Sequence, residues 1–97
     1  MSINERSMKH LLEWLIAGTR GGITRAQIIQ SIKETPQNAN QLAVRLNRDY
    51  RTIRHHLDVL LKHKIIESVG DGYGANFFLS HQLEQNYILF EEIMKRL

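Results

Sequence analysis

Residues 49–63 read DYRTIRHHLDVLLKH, and this stretch decides the fold that we predict for the chain. Its apolar side chains are spaced by four, three and one residues, so they lie on one side of an α-helix. The predicted buried stripe consists of Ile53, Leu57, Leu60 and Leu61. The opposite side is mostly basic, and Asp49 is the expected N-cap. A helix with one apolar and one basic side suits a DNA major groove, so we interpret it as a recognition helix.

A shorter helix and a tight turn are predicted just before the recognition helix. Asn38 and Gln41 have the spacing of a capping box, in which two side chains satisfy two free backbone N–H groups. The inward-facing residues that follow are Leu42, Ala43 and Leu46. Asn47 and Arg48 form the turn. These features together predict a helix-turn-helix over about 38–63.

Two runs of β-forming residues follow the recognition helix, at 65–69 and 76–79. They flank GDGYGA, whose glycines at 70, 72 and 74 permit the positive φ angles of a hairpin turn. A hairpin at this place is a wing, which we predict over about 65–79. Because the wing carries no basic residue, we expect a weak contribution to DNA binding, through backbone N–H groups, Tyr73 and Asn76.

Two helices are predicted before the helix-turn-helix, joined by TRGG at 19–22. In the first, over about 2–17, Ser2 and Glu5 have capping-box spacing and Gly18 is a left-handed stop. Thr24 is the predicted N-cap of the second helix, which ends before Pro36. The apolar residues of these helices are Met8, Leu11, Leu12, Leu15 and Ile16 in the first and Ile28, Ile29 and Ile32 in the second.

The last segment, 81–97, is predicted to be one helix capped by Ser80. Its apolar residues alternate at spacings of four and three, as in a coiled-coil seam. Such a seam has no obvious partner within a small domain except the first helix, so we predict a homodimer built by both terminal helices. Trp14 is assigned to core or dimer packing. The predicted interface residues are Leu11, Leu15, Leu83, Tyr87, Phe90, Met94 and Leu97.

The predicted architecture is mainly α with a small β-hairpin: a winged helix-turn-helix with N- and C-terminal dimerisation helices. A length of 97 residues suits a single domain, 1–97. The chain has no cysteine, which excludes disulfides and thiolate metal sites. Because no apolar run is long enough to span a bilayer and no cleavable signal is evident, we expect a soluble cytoplasmic protein without membrane contact.

Basic charge is concentrated around the recognition helix. Residues 45–64 carry six Lys or Arg against two Asp or Glu, whereas the net charge of the whole chain is only +3. The surplus is therefore local, as expected for an electrostatic footprint on nucleic acid. Arg51 and Arg54 are candidates for bidentate hydrogen bonds to guanine. The residues predicted to contact DNA are Arg48, Tyr50, Arg51, Thr52, Arg54, His55, Lys62, Tyr73 and Asn76.

The histidine pair of the recognition helix is not predicted to bind a metal. About 100° of helix separates adjacent residues, so His55 and His56 cannot share one ion without distortion. His55 points outward with the arginines, and His56 flanks the apolar stripe as a packed structural residue. Since no ligand spacing of a known site occurs, we predict no metal and no cofactor.

The residues NANQLAVRLNRDYRTIRHHLDVLLKHKII and GDGYGANFFLS resemble the ArsR-like winged helix-turn-helix transcriptional regulators, especially small archaeal members that carry a GTRGG segment like that at 18–22. The resemblance covers about 18–80. It implies a homodimer whose helix at 50–63 enters the major groove. Family members that sense metals use cysteine or acidic and histidine ligands that this chain lacks, so metal sensing is not implied. Many relatives have glycine where Lys64 stands, which predicts a left-handed Lys64 or a different cap.

The leading hypothesis is a dimeric, sequence-specific regulator of transcription, most simply a repressor that occludes a promoter at an inverted-repeat operator. The alternative is a winged-helix protein–protein interaction module without base-specific DNA binding. An enzyme is not expected, because no set of nucleophile, base and orienting residue can be assembled. A small apolar effector near Trp14, Tyr87 and Phe90 remains an open possibility that no residue demands.

Overall fold

A computed structural model of the chain describes residues 4–97, except for the side chain of Tyr73. The helices are α1 (Glu5–Leu12), α2 (Gly22–Glu34), α3 (Ala39–Leu46), α4 (Tyr50–Lys62), α5 (His81–Gln85) and α6 (Tyr87–Met94). The strands are β1 (Gln37–Asn38), β2 (Ile66–Val69) and β3 (Asn76–Leu79). A π-helical turn, Glu13–Ala17, continues α1, and a 3-10 turn, Gly72–Gly74, lies between β2 and β3.

The first helix differs from the prediction at both ends. Asn4 is its N-cap, with the Asn4 side chain accepting from the Ser7 backbone N–H at 2.8 Å, while the predicted cap Ser2 lies outside the described residues. At the other end Gly18 has φ −101°, so it is not the predicted left-handed stop. The helix widens into the π-helical turn instead, and the reversal follows three residues later, at Gly21.

The start of α2 also corrects the sequence interpretation. Gly21 has φ +89° and is the N-cap of α2, so Thr24 lies inside the first turn of the helix rather than capping it. A left-handed residue is needed where the chain reverses, and glycine adopts that conformation without steric cost. Ile28, Ile29 and Ile32 are buried as predicted.

The helix-turn-helix forms as the sequence predicts. Asn38 caps α3 in a full capping box, its side chain accepting from the Gln41 N–H at 2.8 Å while the Gln41 side chain accepts from the Asn38 N–H at 2.9 Å. Asn47 then takes a left-handed conformation with φ +53°, which short polar side chains tolerate. The turn to α4 therefore needs no glycine.

The wing is a three-stranded antiparallel sheet rather than a simple hairpin. Strand order is β1-β3-β2, with Ile66 opposite Leu79 and Gln37 opposite Phe77. Sequence periodicity cannot reveal β1, because a two-residue strand has no measurable alternation. Before β2, Lys64 has φ +59°, which confirms the left-handed alternative predicted from the absence of glycine there.

The C-terminal segment is two helices instead of the single one predicted. Asn86 leaves the helical region with φ −116° and ψ 22°, and its side-chain Nδ2 donates to the Gln82 carbonyl at 2.8 Å. The break separates α5 from α6, so a regular helical spacing of apolar residues does not continue across it. A continuous coiled-coil seam is therefore wrong for this segment.

Three of the predicted dimer residues are buried within the chain itself. Leu15, Leu83 and Phe90 have no exposed surface, so in the structure they belong to the core of the chain itself. The helix α6 packs on α1 and on its π-helical turn, the internal partner that the sequence allowed, and this turn also packs on α2. Of the other four residues, Leu97 is 51% exposed, and the half-buried ones are Leu11, Tyr87 and Met94.

The elements form one core from α1 to α6, with the sheet packed beside α4. Mainly helical structure, a helix-turn-helix in α3 and α4 and a following antiparallel sheet are together a winged helix-turn-helix, as predicted. Among residues 4–97, no helix is long and apolar enough to traverse a lipid bilayer.

Candidate nucleic-acid interface

The recognition helix α4 starts at a well-formed cap. The Asp49 carboxylate accepts from the Thr52 backbone N–H at 2.7 Å and from the Thr52 hydroxyl at 2.9 Å. These hydrogen bonds from Thr52, helped by the charge of Arg51, hold the pKa of Asp49 below its ordinary value of 3.8. Asp49 therefore remains ionised at neutral pH, where it stabilises the positive end of the helix dipole.

The inner side of α4 anchors it in the core. Ile53, Leu57 and Leu60 have no exposed surface, and Leu61 is half-buried beside them. Their spacing over two helical turns fixes the rotation of α4 about its axis. The predicted apolar stripe is confirmed, and with it the side of the helix that faces solvent.

The outer side of α4 presents basic and polar groups to solvent. Arg51, His55 and Lys62 are exposed, whereas Tyr50 and Thr52 are half-buried at its N-terminal end. Among residues 4–97, the Arg51 guanidinium forms no ion pair. Arg51 is therefore the arginine of α4 that is best placed to reach a ligand.

Arg54 has a different environment from Arg51. Its guanidinium pairs with the Asp58 carboxylate at 2.8 Å and lies 5.6 Å from the centre of the Phe77 ring. Because Phe77 belongs to β3, Arg54 links the recognition helix to the wing. The sequence prediction treated it as a free outward donor, but in the structure its side chain is half-buried and already paired.

Two further arginines of the basic segment contact neighbouring helices. Arg48 is exposed and donates to the Gln27 side chain of α2 at 3.4 Å, a long and weak hydrogen bond. Arg45 forms an ion pair with Glu34 at the end of α2. Exposed ion pairs stabilise little and exchange readily with water, so both side chains can reorient toward a stronger anion.

A groove of about 350 Å³ separates α4 from the turn of the wing. Tyr50 and Arg54 form its helical side, and Gly70, Asp71 and Gly72 form part of the opposite side. Asn76 is exposed at the start of β3, while the Tyr73 side chain lies outside the described part of the chain. The wing thus lies next to the N-terminal half of α4. It presents backbone groups and an acidic side chain there rather than basic side chains.

Sequence reasoning missed a buried arginine behind α4. Arg25 is 5% exposed, and its Nε donates to the Leu15 carbonyl at 2.8 Å. Its terminal nitrogens donate to the Thr19 hydroxyl, to the Arg20 carbonyl at 3.3 Å and to Nδ1 of His56 at 3.2 Å. A signal was present in the sequence, because Arg25 occupies the same helical side as Ile28, Ile29 and Ile32.

His56 is packed and structural, as predicted. It is 8% exposed, and burial, followed by the positive charge of Arg25, lowers its pKa below the ordinary value of 6.5. Arginine only donates hydrogen bonds, so Nδ1 must be the acceptor and the proton of the neutral ring lies on Nε2. Burial also lowers the pKa of Arg25, which remains charged because free arginine titrates far above neutral pH.

The GTRGG segment 18–22, which we call the joint, packs tightly between the π-helical turn after α1, the helix α2 and α4. A Cβ atom on Gly22, its last residue and the first of α2, would lie 1.8 Å from the Ile16 carbonyl oxygen. A Cβ on Gly21 would lie 2.6 Å from Cε1 of His56. Close packing therefore requires glycine at positions 21 and 22, and the Thr19 and Arg20 oxygens accept hydrogen bonds from Arg25.

Within residues 4–97, no group of three or more histidine, aspartate or glutamate side chains comes together as a metal site would require. His55 and His56 are in edge-to-face contact, with ring centres 5.2 Å apart. The outer side of α4 thus offers cationic and hydrogen-bonding groups, which suit an extended anion.

Comparisons with solved structures agree on the fold. The chain aligns with a protein of unknown function from Listeria innocua Clip11262 at 18% identity and TM-score 0.66, covering 93% of this chain and 66% of that one. It aligns with a probable transcriptional regulator from Pseudomonas aeruginosa at 22% identity and TM-score 0.64, covering 94% and 74%. It aligns with HlyU from Vibrio cholerae N16961 at 12% identity and TM-score 0.60, covering 94% of this chain and 90% of that one.

A search of curated proteins finds no match to this sequence. A family model described as HVO_A0114 matches residues 24–80, which is more than half of the chain. The matched part runs from the first turn of α2 to the end of the wing and contains the whole helix-turn-helix. The chain therefore belongs to the HVO_A0114 family.

Proposed function

We propose that this protein is a dimeric, sequence-specific DNA-binding regulator of transcription, ArsR-like in type, acting in the cytoplasm without enzymatic activity. The observation that carries the proposal is the exposed basic side of α4, held outward by buried Ile53, Leu57 and Leu60. The likeness to a probable transcriptional regulator supports it. Promoter occlusion is the simplest mechanism, since it requires only that the protein bind DNA over the promoter.

Arg51 reads bases in this proposal. It is exposed in the first turn of α4, where side chains of a recognition helix reach base edges, and its planar guanidinium matches the two acceptors of guanine. Arg48, Tyr50 and Lys62 contact phosphates, while Thr52, His55 and Asn76 add polar contacts. Arg54 has to leave Asp58 before it can contact a base, so its contribution is smaller than that of Arg51.

Dimerisation through the terminal helices is part of the proposal, with a smaller interface than the sequence predicted. Trp14 and Leu97 are 52% and 51% exposed, and the ion pair between Glu13 and Arg96 at 2.6 Å brings their helices together. An exposed apolar surface of this kind suits a two-fold contact with a second copy. Two recognition helices then meet successive major grooves about 34 Å apart on an inverted repeat.

Selection of bound sequences from random duplexes, followed by fluorescence anisotropy on the selected duplex, tests the DNA-binding proposal. Arg51→Ala is expected to weaken binding by about 10- to 100-fold and to relax preference at one base pair. Arg6→Ala, which removes the same charge from exposed α1, is the matched control and should change affinity little. Absence of any duplex binding at low salt contradicts the proposal and favours the protein-interaction alternative.

Sedimentation equilibrium tests the dimer separately. Leu97→Glu should shift the protein toward monomer, because it places a charge in the proposed apolar contact. Val44→Glu is the control, since Val44 is an apolar residue of α3 that is 82% exposed and lies outside the proposed contact. A wild-type monomer at micromolar concentration would contradict the dimer without affecting the assignment of α4.

A further inference from the structure

Arg25 connects three parts of the molecule that are distant in sequence. It donates to Leu15 in the π-helical turn after α1, to Thr19 and Arg20 in the joint, and to His56 in the middle of α4. The Leu15 carbonyl is available because a π-helical turn disturbs the regular i to i−4 ladder. One side chain thereby ties the N-terminal helix to the recognition helix.

Every acceptor around Arg25 is electrically neutral. A buried cation without a carboxylate depends on complete hydrogen bonding, so the loss of one acceptor weakens the whole arrangement. Three of the acceptors are oxygens that do not titrate near neutral pH. The fourth is Nδ1 of His56, which accepts only while the ring is unprotonated.

We propose that Arg25 and His56 form a proton-sensitive latch that positions the recognition helix against the joint and the N-terminal helix, and that protonation of His56 opens it. An imidazolium cannot accept from Arg25 and would place two positive charges at the present 3.2 Å separation. Opening relieves that repulsion by separating α4 from the joint. The inference rests on the proposed DNA binding only for its functional consequence.

Within the described residues 4–97, no carboxylate compensates for a proton on His56. The charged groups that act on His56 are Arg25 from α2, Arg48 from the turn before α4 and His55 from its own helix, and all three are basic. The joint packs on the His56 ring through Gly21, and it contains a further basic residue, Arg20. Burial and these neighbours together lower the pKa of His56, so the latch is closed at neutral pH and opens in acid.

The latch predicts a pH dependence of DNA affinity that is opposite to the one expected from charge alone. As pH falls, histidines gain charge, and a protein without the latch should bind polyanionic DNA more tightly. If the latch positions α4, wild-type affinity for the selected duplex should instead fall by about tenfold between pH 7.5 and pH 5. The sign of the pH dependence therefore separates a positioning role from a merely structural one.

His56→Gln is the decisive variant, because its side-chain oxygen can accept from Arg25 and has no proton to gain. Its affinity should not fall in acid. His81→Gln, at an exposed histidine of α5 that is not among the proposed DNA contacts, is the control and should keep the acid loss. Equal acid loss in wild type and His56→Gln, or no loss in wild type, overturns the inference.

A readout without DNA distinguishes failure of the latch from failure of the proposed function. Nitrogen-15 NMR of the histidine rings in the wild-type protein should show His56 as the Nε2–H tautomer at pH 7.5, titrating below the ordinary value of 6.5. Its titration should coincide with shifts in the amide signals of Gly21 and Thr19. A His56 that titrates normally, without those shifts, overturns the latch whatever the DNA result.

Discussion

The joint and the turn of the wing are both rich in glycine and both lie beside the recognition helix, yet their glycines serve different purposes. In the joint, added Cβ atoms would meet the Ile16 carbonyl and the His56 ring. In the wing, a Cβ on Gly72 or Gly74 would meet nothing within 4 Å. Similar composition therefore hides a packed junction in one place and an open turn in the other.

Charge separates the two regions as clearly as packing does. The joint packs around buried Arg25 and contains Arg20, so its charges are positive. In the strands and turn at 65–79 the charged residues are only Glu67 and Asp71, which are negative. The joint fixes α4 from within, and the wing contributes a backbone-lined groove next to Tyr50 and Arg54. The tightly packed neighbour of the recognition helix is therefore the segment that precedes it in sequence.

The largest effect should come from Gly22→Ala. Its Cβ would lie 1.8 Å from a backbone oxygen, so the junction has to move, and we expect a loss of about 3 kcal/mol in the free energy of unfolding. Gly74→Ala is the matched change in the wing and should stay within about 0.5 kcal/mol. Urea denaturation of both variants measures the difference, and equal losses would remove the contrast.

Gly21→Ala and Gly70→Ala sharpen the comparison, since both positions have positive φ, at +89° and +100°. In each variant the free energy of unfolding should fall by about 1–2 kcal/mol, because alanine adopts the left-handed backbone conformation less readily than glycine. Gly21→Ala should lose about 1 kcal/mol more, because the new methyl group meets the His56 ring that Arg25 holds in place. Thermal unfolding compares the two, and a greater loss for Gly70→Ala would contradict the tight packing of the joint.

The wing can be tested by its share of DNA affinity. Removal of residues 71–74 should reduce affinity for a selected duplex by less than about threefold. The reason is that this tip has no basic side chain that could neutralise a phosphate. Arg51→Ala should reduce it more. Anisotropy titrations on folded, dimeric variants measure both, and a larger loss from the shortened tip would reverse the proposed division of labour.

The smallest effect is the dependence of stability on pH. The pKa of His56 is lower in the folded protein than its ordinary value of 6.5, so the unfolded chain binds more protons below neutral pH. The stability that this histidine contributes is present above pH 6.5 and is lost as pH falls below it. Urea denaturation from pH 7.5 to 5 should show the loss in wild type and a smaller loss in His56→Gln.

Local signals in the sequence predicted the helix-turn-helix with good accuracy. The capping box of Asn38 and Gln41, the Asp49 cap and the stripe of Ile53 and Leu57 all appear where predicted, because each depends on residues within one or two helical turns. The N-cap of α2 was misplaced to Thr24, since both threonine and glycine are acceptable there and only the chain reversal selects Gly21.

The terminal helices were predicted less well. The regular spacing of apolar residues such as Leu83 and Phe90 indicated a helix with a packed side. It could not show whether that side packs within the chain or against a second chain. The break at Asn86 also escaped detection, because asparagine inside a helical pattern is a weak signal. Long-range packing decided the first point, because α6 packs on α1 and its π-helical turn, in a core that includes Leu83 and Phe90.

The sequence by itself determined the helical segments, the wing and the basic side of α4, because periodicity, caps and charge are local properties of the chain. Only the tertiary structure decided which arginine is free and which is held. Arg51 is exposed, Arg54 is paired with Asp58, and Arg25 is buried against His56. The physical reason is that burial and pairing depend on groups far apart in sequence, which meet only when the helices pack.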